Sequence, residues 1–324
     1  MAHYLVTGVA GFIASRTAEM LLAQGHQITG VDNLNAAYDV RLKAYRLRRL
    51  KAHPRFRFWL LDVAQRAALE PITRAGRYDA ILHLAARAGV RASVADPWAY
   101  YRTNVEGTLN ILELARALSV PKVVLASTSS VYAGAQPPFH EDMPTDRPRS
   151  PYAASKKAAE VLAYTYHVLH GLDVTVLRYF TVYGPAGRPD MSPLRFTQWI
   201  CEGRPVRIFG DGTQRRDFTY VDDIARGTIA GLRPLGYQII NLGHDHPRAL
   251  MDLVHLIERY CDRPARLTYA DRHPADMPHT WAVIEKAARL LDWRPQVPFE
   301  EGVRRLVEWY RQERDWARDL DTGP

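Results

Sequence analysis

TGVAGFIA, residues Thr7–Ala14, separates the apolar run HYLV from the amphipathic run FIASRTAEMLLAQG. It puts Gly8 and Gly11 in a strand-to-helix turn, with Ala14 where a third glycine often stands. Glycine permits the tight turn, and backbone N–H groups at a helix N-terminus can bind a pyrophosphate. Alone, the pattern also fits a plain strand–helix connection. Because it opens the first strand–helix unit of the chain, it predicts a dinucleotide site.

Apolar strands and amphipathic helices alternate through the first half of the chain. The predicted strands are HYLVTG, QITGVD, FRFWLLDV, YDAILHLAA, PKVVLAS and DVTVLRY. This order predicts an α/β fold with a doubly wound parallel sheet and a site at the carboxyl ends of its strands. After Tyr183 the segments become shorter and mixed. We expect a cofactor domain over residues 1–182, rejoined by about 217–243, and a smaller mixed α/β lobe over 183–216 and 244–324.

The second predicted strand ends in Asp32 and Asn33, and an acid at this position can accept hydrogen bonds from the adenosine ribose. Its negative charge would repel a 2′-phosphate, so the sequence favours NAD over NADP. Asp62-Val63 ends the third strand and would border the adenine, and the small residues Leu84–Ala86 end the fourth. For these last two segments, ordinary packing at a strand end is the alternative.

Tyr152 and Lys156 lie four residues apart in a predicted helix that starts near Ser150-Pro151, so they share one helix face. A free phenol has a pKa of about 10, too high for a base at neutral pH. A nearby ammonium and an oxidised nicotinamide would both favour the phenolate. The preceding strand ends in four hydroxyl residues, Ser127–Ser130, which also need hydrogen-bond partners.

These segments together resemble the extended short-chain dehydrogenase/reductase family, in particular its nucleotide-sugar epimerases and dehydratases. The resemblance covers nearly the whole chain. It rests on TGVAGFI, VDNLN, HLAA, NVEGTLNILE, STSSVY, SPYAASK, LRYFTVYGP and RRDFTYVDD, in that order. Ala14 and Ala133 stand where the family usually has glycine.

The resemblance implies a catalytic triad in which Tyr152 takes a proton from a sugar hydroxyl, Thr128 hydrogen-bonds the same oxygen and Lys156 holds the nicotinamide ribose. The implied NAD contacts are Gly8, Gly11, Phe12, Ile13, Asp32, Asn33, Asn35, Asp62, Val63, Leu84, Ala85, Ala86, Arg87, Asn104, Tyr152, Lys156 and Tyr179. The implied contacts of the UDP-sugar are Arg91, Ser129, Ser130, Thr181, Arg188, Ile208, Phe209, Arg216 and Arg272. In that set Arg216 and Arg272 would bind phosphate, and Ile208 and Phe209 would flank the base.

Ser129 and Ser130 indicate which reaction to expect. Related dehydratases carry an Asp-Glu pair after the catalytic threonine, and UDP-glucuronate decarboxylases keep a glutamate at the second place. Without an acid to protonate a leaving hydroxyl, dehydration is disfavoured. The remaining chemistry is 4-epimerisation, which needs only oxidation and reduction at one carbon.

The loop FTVYGPAGRPDM, together with YAASKKA, most resembles UDP-glucuronic acid 4-epimerases. Ser129, Ser130, Thr181 and Arg188 would donate hydrogen bonds to the sugar carboxylate, although Arg188 also suits a diphosphate contact or a plain loop role. UDP-glucose 4-epimerase and UDP-glucuronate decarboxylase are the alternative activities. An NAD-binding sensor without catalysis is the alternative from another class.

Composition limits the remaining possibilities. Apolar residues make up 47% of the 324, which predicts a sizeable core, and the net charge is +8. The densest basic run, Arg41–Lys51, has apolar residues at helical spacing, so we interpret it as a solvated helix face and expect no nucleic-acid partner. Cys201 and Cys261 are far apart and are expected to be reduced thiols. His244–His246 lacks a nearby third ligand, so we expect a polar loop and no metal.

The chain opens directly into a strand and contains no apolar run of the ~18 residues that span a bilayer. We therefore expect a cytoplasmic protein with no leader and no membrane partner. The family resemblance further implies a homodimer that forms through the helices at 98–119 and 150–170.

Overall fold

The computed structural model describes residues 1–271 and 276–323. The strands are β1 (His3–Thr7), β2 (Gln27–Asp32), β3 (Phe56–Leu60), β4 (Ala80–His83), β5 (Lys122–Thr128), β6 (Asp173–Tyr179), β7 (Thr181–Tyr183), β8 (Pro205–Phe209), β9 (Arg215–Arg216), β10 (Phe218–Tyr220), β11 (Tyr237–Leu242), β12 (Arg248–Ala249) and β13 (Arg266–Ala270). The α-helices are α1 (Phe12–Ala23), α2 (Val40–Lys51), α3 (Glu70–Arg74), α4 (Val90–Ala95), α5 (Pro97–Tyr101), α6 (Gly107–Ala117), α7 (Pro151–His170), α8 (Ser192–Cys201), α9 (Val221–Ala230), α10 (Leu250–Cys261), α11 (Glu285–Leu291), α12 (Phe299–Gln312) and α13 (Arg314–Ala317).

Seven parallel strands form the central sheet in the order β11-β6-β5-β4-β1-β2-β3. The chain order reverses direction between β1 and β4, so a crevice opens at the carboxyl ends of these two strands. Successive residues of β1 face opposite sides of the sheet, and accordingly Leu5 and Val6 belong to two different apolar cores. The predicted doubly wound parallel sheet is confirmed.

The second half of the chain adds three two-stranded sheets: β7 with β10, β8 with β13, and β9 with β12. Helices α8, α10 and α12 pack around a separate core that contains Phe218 and Phe299, whose rings stack 5.2 Å apart. Strand β11 returns to the edge of the large sheet beside β6. The smaller lobe thus rests on side-chain packing between short elements.

Helix α2 is not a simple solvated face. Lys43 and Arg46 are 5% and 3% exposed, so this part of the prediction is wrong. Both residues share the buried face with Leu42, Leu47 and Leu50 because positions three and four apart lie side by side on a helix. The Lys43 ammonium reaches Asp32 and Asn35 at the cleft. The Arg46 guanidinium donates to backbone carbonyls of the neighbouring loops.

The expectation of two reduced thiols is also wrong. Cys201 and Cys261 form a disulfide with Cα atoms 5.4 Å apart. They are 60 residues apart in sequence, but each is the last residue of a helix, and α8 packs against α10. Sequence spacing could not reveal that these two helix ends meet.

Within the described part of the chain, no helix is both long enough and apolar enough to cross a membrane.

Candidate active site

The glycine turn between β1 and α1 lies against the end of β4. Gly8 has φ +69°, and a Cβ atom there would stand 2.7 Å from the backbone of Ala85. Only glycine therefore allows this approach. The Gly11 N–H donates to the Gly8 carbonyl at 2.7 Å and closes the turn. The first residues of α1, Phe12 and Ile13, line the cleft that begins here.

Asp32, at the end of β2, stabilises this turn. Its carboxylate accepts the N–H of Ala10 at 3.1 Å and the N–H of Leu34 at 2.8 Å. The Lys43 ammonium lies 3.7 Å from the same carboxylate and donates to Asn35. Burial lowers the pKa of Lys43, while Asp32 opposes this effect. Asp32 thus faces the cleft in the place predicted for the adenosine ribose.

Lys43 is a cleft residue that sequence reasoning missed. The basic composition of α2 predicts a solvated position for it, but its i, i+3 spacing to Arg46 on the apolar side of α2 is a signal of burial. The other predicted acid, Asp62, accepts a hydrogen bond from the Asn33 side chain at 3.0 Å. Both Asp62 and Val63 line the cleft.

Asn104 orders the loop after β4. Its side-chain oxygen accepts the Arg87 N–H at 2.8 Å, and its amide group donates to the Arg87 carbonyl at 3.0 Å and to Ser155 at 2.9 Å. It lies in a π-helical turn, Arg102–Glu106, that interrupts the single long helix predicted from the sequence. Such turns are frequent at functional sites. Asn104 is fully buried, and neither Asn104 nor Arg87 lines the cleft, whereas Leu84, Ala85 and Ala86 do.

The three predicted catalytic residues meet in this cleft, which has a volume of about 340 Å³. Thr128 ends β5, whereas Tyr152 and Lys156 lie on the first turns of α7, which Ser150 caps by accepting the Ala153 N–H. Burial raises the pKa of Tyr152, and the Thr128 hydroxyl and the Arg188 guanidinium both oppose that rise. Burial lowers the pKa of Lys156 to about 8. The chain alone therefore keeps Tyr152 protonated, and it needs a further positive charge to become a base.

A buried ion pair lies beneath these residues. Glu160, one turn after Lys156, accepts from Ser127 at 2.6 Å and from the Arg178 guanidinium at 2.8 Å through each of its oxygens. Both charged side chains are 1% exposed. Arg178 also donates to Tyr132 at 2.7 Å. The first hydroxyl of the Ser127–Ser130 run thus fixes the strand end to α7, which leaves the other three for the cleft.

The same cleft also carries the predicted sugar ligands. Ser129, Ser130, Thr181 and Arg188 line it together with Tyr179. Thr128 donates to Ser130 at 3.2 Å. Arg188 donates to Asp190 at 3.1 Å and to the Ala88 carbonyl at 3.1 Å. The hydroxyl groups and the guanidinium thus converge on the region beside Tyr152.

Four other predicted substrate residues lie outside the cleft wall. Arg91 pairs with Asp276 and stacks over the Phe209 ring, 4.0 Å from its centroid. Ile208 is fully buried in the core of the lobe, and Arg216 donates to the backbone carbonyls of Arg215 and Pro278. The fifth, Arg272, lies outside the described residues.

Asp217, which follows Arg216, is a structural residue that sequence reasoning did not single out. Its buried carboxylate accepts the N–H groups of His244, Asp245 and Ala282. The His244–His246 loop is therefore held by an anion. This cage fixes three distant segments of the chain around the end of β9.

The cleft fits a dinucleotide. It is continuous from Asp32 and the glycine turn to Tyr152 and Lys156, and small side chains such as Ala85 and Ala126 border its middle. The turn has no Cβ at Gly8 and Gly11, so a pyrophosphate can approach the backbone at the start of α1. Lys156, at the far end, can donate to a ribose.

Comparisons with known proteins identify the family of the chain. A family model described as the NAD dependent epimerase/dehydratase family matches residues 4–243. A UDP-glucuronate 4-epimerase of Thermodesulfobacterium geofontis is 56% identical over 313 residues, which cover 96% of this chain and 97% of that protein. The crystal structure of UDP-glucuronic acid 4-epimerase from Bacillus cereus, in complex with UDP-glucuronic acid and NAD, superposes with a TM-score of 0.89. It is 34% identical, over 96% of this chain and 99% of that one. A Thermotoga maritima UDP-glucose 4-epimerase with UDP-glucose superposes with a TM-score of 0.87 at 30% identity, over 96% and 99% of the two chains.

Proposed function

The chain belongs to the NAD-dependent epimerase/dehydratase family, and we propose that it is an NAD-dependent isomerase that interconverts UDP-glucuronate and UDP-galacturonate at carbon 4. One observation carries the choice of reaction. Thr128, Tyr152 and Lys156 line the same cleft as Ser129, Ser130 and Arg188, and the two serines are neutral donors at the positions where related dehydratases place acids.

NAD, when bound, supplies oxidation of the sugar at carbon 4 and its reduction from the opposite face, with no net change of the cofactor. Tyr152 accepts the proton of the 4-hydroxyl and returns it to the same oxygen after the sugar has turned over. Thr128 donates to that oxygen and keeps it in line with the phenol. Lys156 provides a positive charge beside Tyr152, which stabilises the phenolate.

The 4-keto form of UDP-glucuronate is a β-keto acid and loses carbon dioxide when the bond to the carboxylate aligns with the carbonyl π system. Ser129, Ser130, Thr181 and Arg188 would hold the carboxylate near the plane of the ketone and prevent that alignment. Charge-assisted hydrogen bonds suit this role because they are strong and directional. An acidic side chain at Ser130 would instead repel the carboxylate or protonate the enolate.

Incubation with UDP-glucuronate, UDP-glucose and UDP-xylose separately, with products identified by NMR, tests this function. We expect UDP-galacturonate from UDP-glucuronate, with no added reductant and no solvent deuterium at carbon 4 in heavy water. Turnover of UDP-glucose alone would replace the proposal with a neutral-sugar epimerase. Carbon dioxide release as the main reaction would indicate a decarboxylase, and bound NAD without any turnover would indicate a sensor.

We assign the nucleotide half of the substrate to the smaller lobe, residues 183–216 and 244–324, as the sequence predicts. Phe209 and Arg216 support this assignment because each ends a short strand, β8 and β9, which follow one another in the chain, and they would bind the base and the diphosphate respectively. Arg91 already stacks on Phe209 and would lie over the base or beside the phosphates. Ile208 would act by supporting Phe209 from the core.

The homodimer predicted from the family also remains a proposal, and exposed apolar side chains support it. Trp98 of α5 is 78% exposed, and Val161, Tyr164 and Val168 of α7 are each more than half exposed along one helix face. Light scattering should give the mass of two chains, and Val161→Glu should shift it toward one chain. A monomeric parent would contradict the proposal. We also place the protein in the cytoplasm, where NAD and UDP-sugars are available; fractionation of the source cells tests this.

A further inference from the structure

The guanidinium of Arg46 uses all of its five N–H groups inside the protein. Nε and Nη2 donate to the Ala186 carbonyl at 3.0 and 2.6 Å, and Nη2 also donates to the Gly187 carbonyl at 3.0 Å. Nη1 donates to the Ala10 carbonyl at 3.1 Å and to the Tyr38 hydroxyl at 2.7 Å. This arrangement matches the fixed donor geometry of arginine, which lysine cannot reproduce.

No carboxylate pairs with Arg46 anywhere in residues 1–271 and 276–323. Its charge is instead received by three backbone carbonyls, and the guanidinium carbon lies 5.7 Å from the centroid of the Phe12 ring and 5.6 Å from that of the Tyr38 ring. Burying a cation without an anion is costly unless its hydrogen bonds are complete. All five donors are used here, which offsets that cost, and the carbonyl partners show which parts of the chain Arg46 joins.

These carbonyls belong to two loops that bind different molecules. Ala10 is part of the cofactor turn, where its N–H donates to Asp32. Ala186 and Gly187 immediately precede Arg188. Ala186 has a φ of +52°, a left-handed conformation that a non-glycine residue keeps only when its surroundings hold it. Two hydrogen bonds from Arg46 hold the Ala186 carbonyl in place and so support this conformation.

We propose that Arg46 is a positioning residue: it fixes the Ala186-Gly187 turn against the cofactor turn and so aims Arg188 at the carboxylate of the sugar. The inference rests on the proposed function only for the identity of the sugar. The joining of the two loops stands on the hydrogen bonds above. Arg46 does not line the cleft, so its effect passes through the loop of residues 184–191.

The test compares Arg46→Met, Arg46→Lys and the control Arg49→Ala as holoenzymes. Arg49 lies on the same helix, has a half-exposed side chain and pairs with Glu19 at 2.9 Å. We expect Arg46→Met to lower kcat/KM for UDP-glucuronate by roughly 10- to 100-fold, mainly through KM, as for a displaced binding group. We expect a smaller loss with UDP-glucose and unchanged inhibition by UDP, because neither carries the carboxylate. Arg49→Ala should match the parent.

Hydrogen exchange supplies a readout that does not depend on activity. Amides of residues 184–191 should exchange faster in both Arg46 variants, while those of α9 keep the parent rate. Arg46→Lys retains the charge but has only three donors for the four oxygens. We expect it to give smaller changes in kcat/KM and in exchange rate than Arg46→Met. It replaces Arg46→Met if that variant does not fold. Parent-like exchange in 184–191, or equal losses with both sugars, would overturn the inference. A parent inactive on UDP-glucuronate would overturn the proposed function instead, and the exchange comparison would still decide the role of Arg46.

Discussion

The two halves of this molecule hold their functional residues in different ways. The residues that we propose as catalytic stand on β5 and α7, at the carboxyl ends of a seven-stranded sheet with an apolar core on each face. The smaller lobe has only two-stranded sheets within the described residues, and its core is supplemented by a disulfide between α8 and α10, while the Asp217 and Arg46 hydrogen bonds fix the loops at its border. We infer a division of labour: the sheet fixes the proton-transfer residues, with Ser129 and Ser130 beside them, and the loop that carries Arg188 adds the charged contact to the sugar. Substitutions in the two halves should therefore affect different measurable quantities.

The largest effect is expected from Tyr152→Phe, which keeps the ring and removes the proton acceptor. We predict at least a ~10²-fold loss in kcat, as is usual when a general base is removed. Binding of UDP-glucuronate should change little, because Tyr152 belongs to the catalytic half. Tyr260→Phe, on α10 and outside the cleft, is the control. A large loss of UDP-glucuronate affinity in Tyr152→Phe would break the division of labour.

Removing the disulfide should affect the lobe and leave the chemistry intact. For Cys201→Ser with Cys261→Ser we predict a loss of roughly 2–4 kcal/mol in the free energy of unfolding, because the cross-link closes a long loop. Denaturant titration measures this, and kcat under folding conditions should stay near the parent value. Adding a reductant to the parent should reproduce the loss. An unchanged unfolding midpoint would mean that the lobe does not depend on this connection.

Lys156→Met should raise the stability of the folded protein and at the same time abolish turnover. The folded protein lowers the pKa of Lys156 to about 8 by burial, so below that pH a charged ammonium is kept in the interior at a cost. Methionine removes this cost, and we predict a gain of up to roughly 3 kcal/mol in stability at pH 7 together with loss of turnover.

The pH dependence gives a second check on Lys156. Between about pH 8 and the ordinary lysine pKa, the unfolded chain binds more protons than the folded one, so the stability contributed by this group rises with pH. The advantage of Lys156→Met over the parent should therefore shrink across that range. A constant difference would show that the ammonium is not the source of the cost.

The smallest effect is expected from Arg188→Ala, which tests the contribution of the lobe-side loop to the choice of sugar. We predict that it weakens UDP-glucuronate relative to UDP-glucose by roughly 1–3 kcal/mol, the range for a lost charge-assisted hydrogen bond. Some UDP-4-keto-pentose and reduced cofactor should also be released, since the carboxylate is less restrained. If both sugars are affected equally and no keto-pentose forms, Arg188 serves the diphosphate or the loop.

Sequence predicted the catalytic half better than the lobe, for a physical reason. The glycine turn, Asp32 and the Tyr152–Lys156 spacing are local patterns, and a parallel sheet brings strand ends together without further information. The disulfide joins residues 60 apart, and the Asp217 cage joins segments that no periodicity relates. Such contacts depend on how helices and loops pack, which local patterns do not encode.

Helix α2 gave the one local failure. Its charged residues were all interpreted as solvated, although Lys43 and Arg46 lie on the same face as Leu42, Leu47 and Leu50. The charge of Lys43 and Arg46 favours exposure, whereas their position on the apolar face of α2 favours burial. A long basic side chain can cross an apolar face and deliver its charge to a polar site beyond it, as both residues do here.

The hydrogen bonds of Asp32 have a consequence for how this enzyme could evolve. A shift toward a phosphorylated dinucleotide would begin by removing the carboxylate, and a suitable cation, Lys43, already stands 3.7 Å away. Yet that carboxylate also accepts the Ala10 and Leu34 N–H groups, so a small replacement would leave two donors without a partner, each at a cost of about 1–3 kcal/mol. Because one carboxylate serves both purposes, a change of cofactor preference also changes the structure of the turn. A lineage could exchange one cofactor for the other only by rebuilding the turn at the same time.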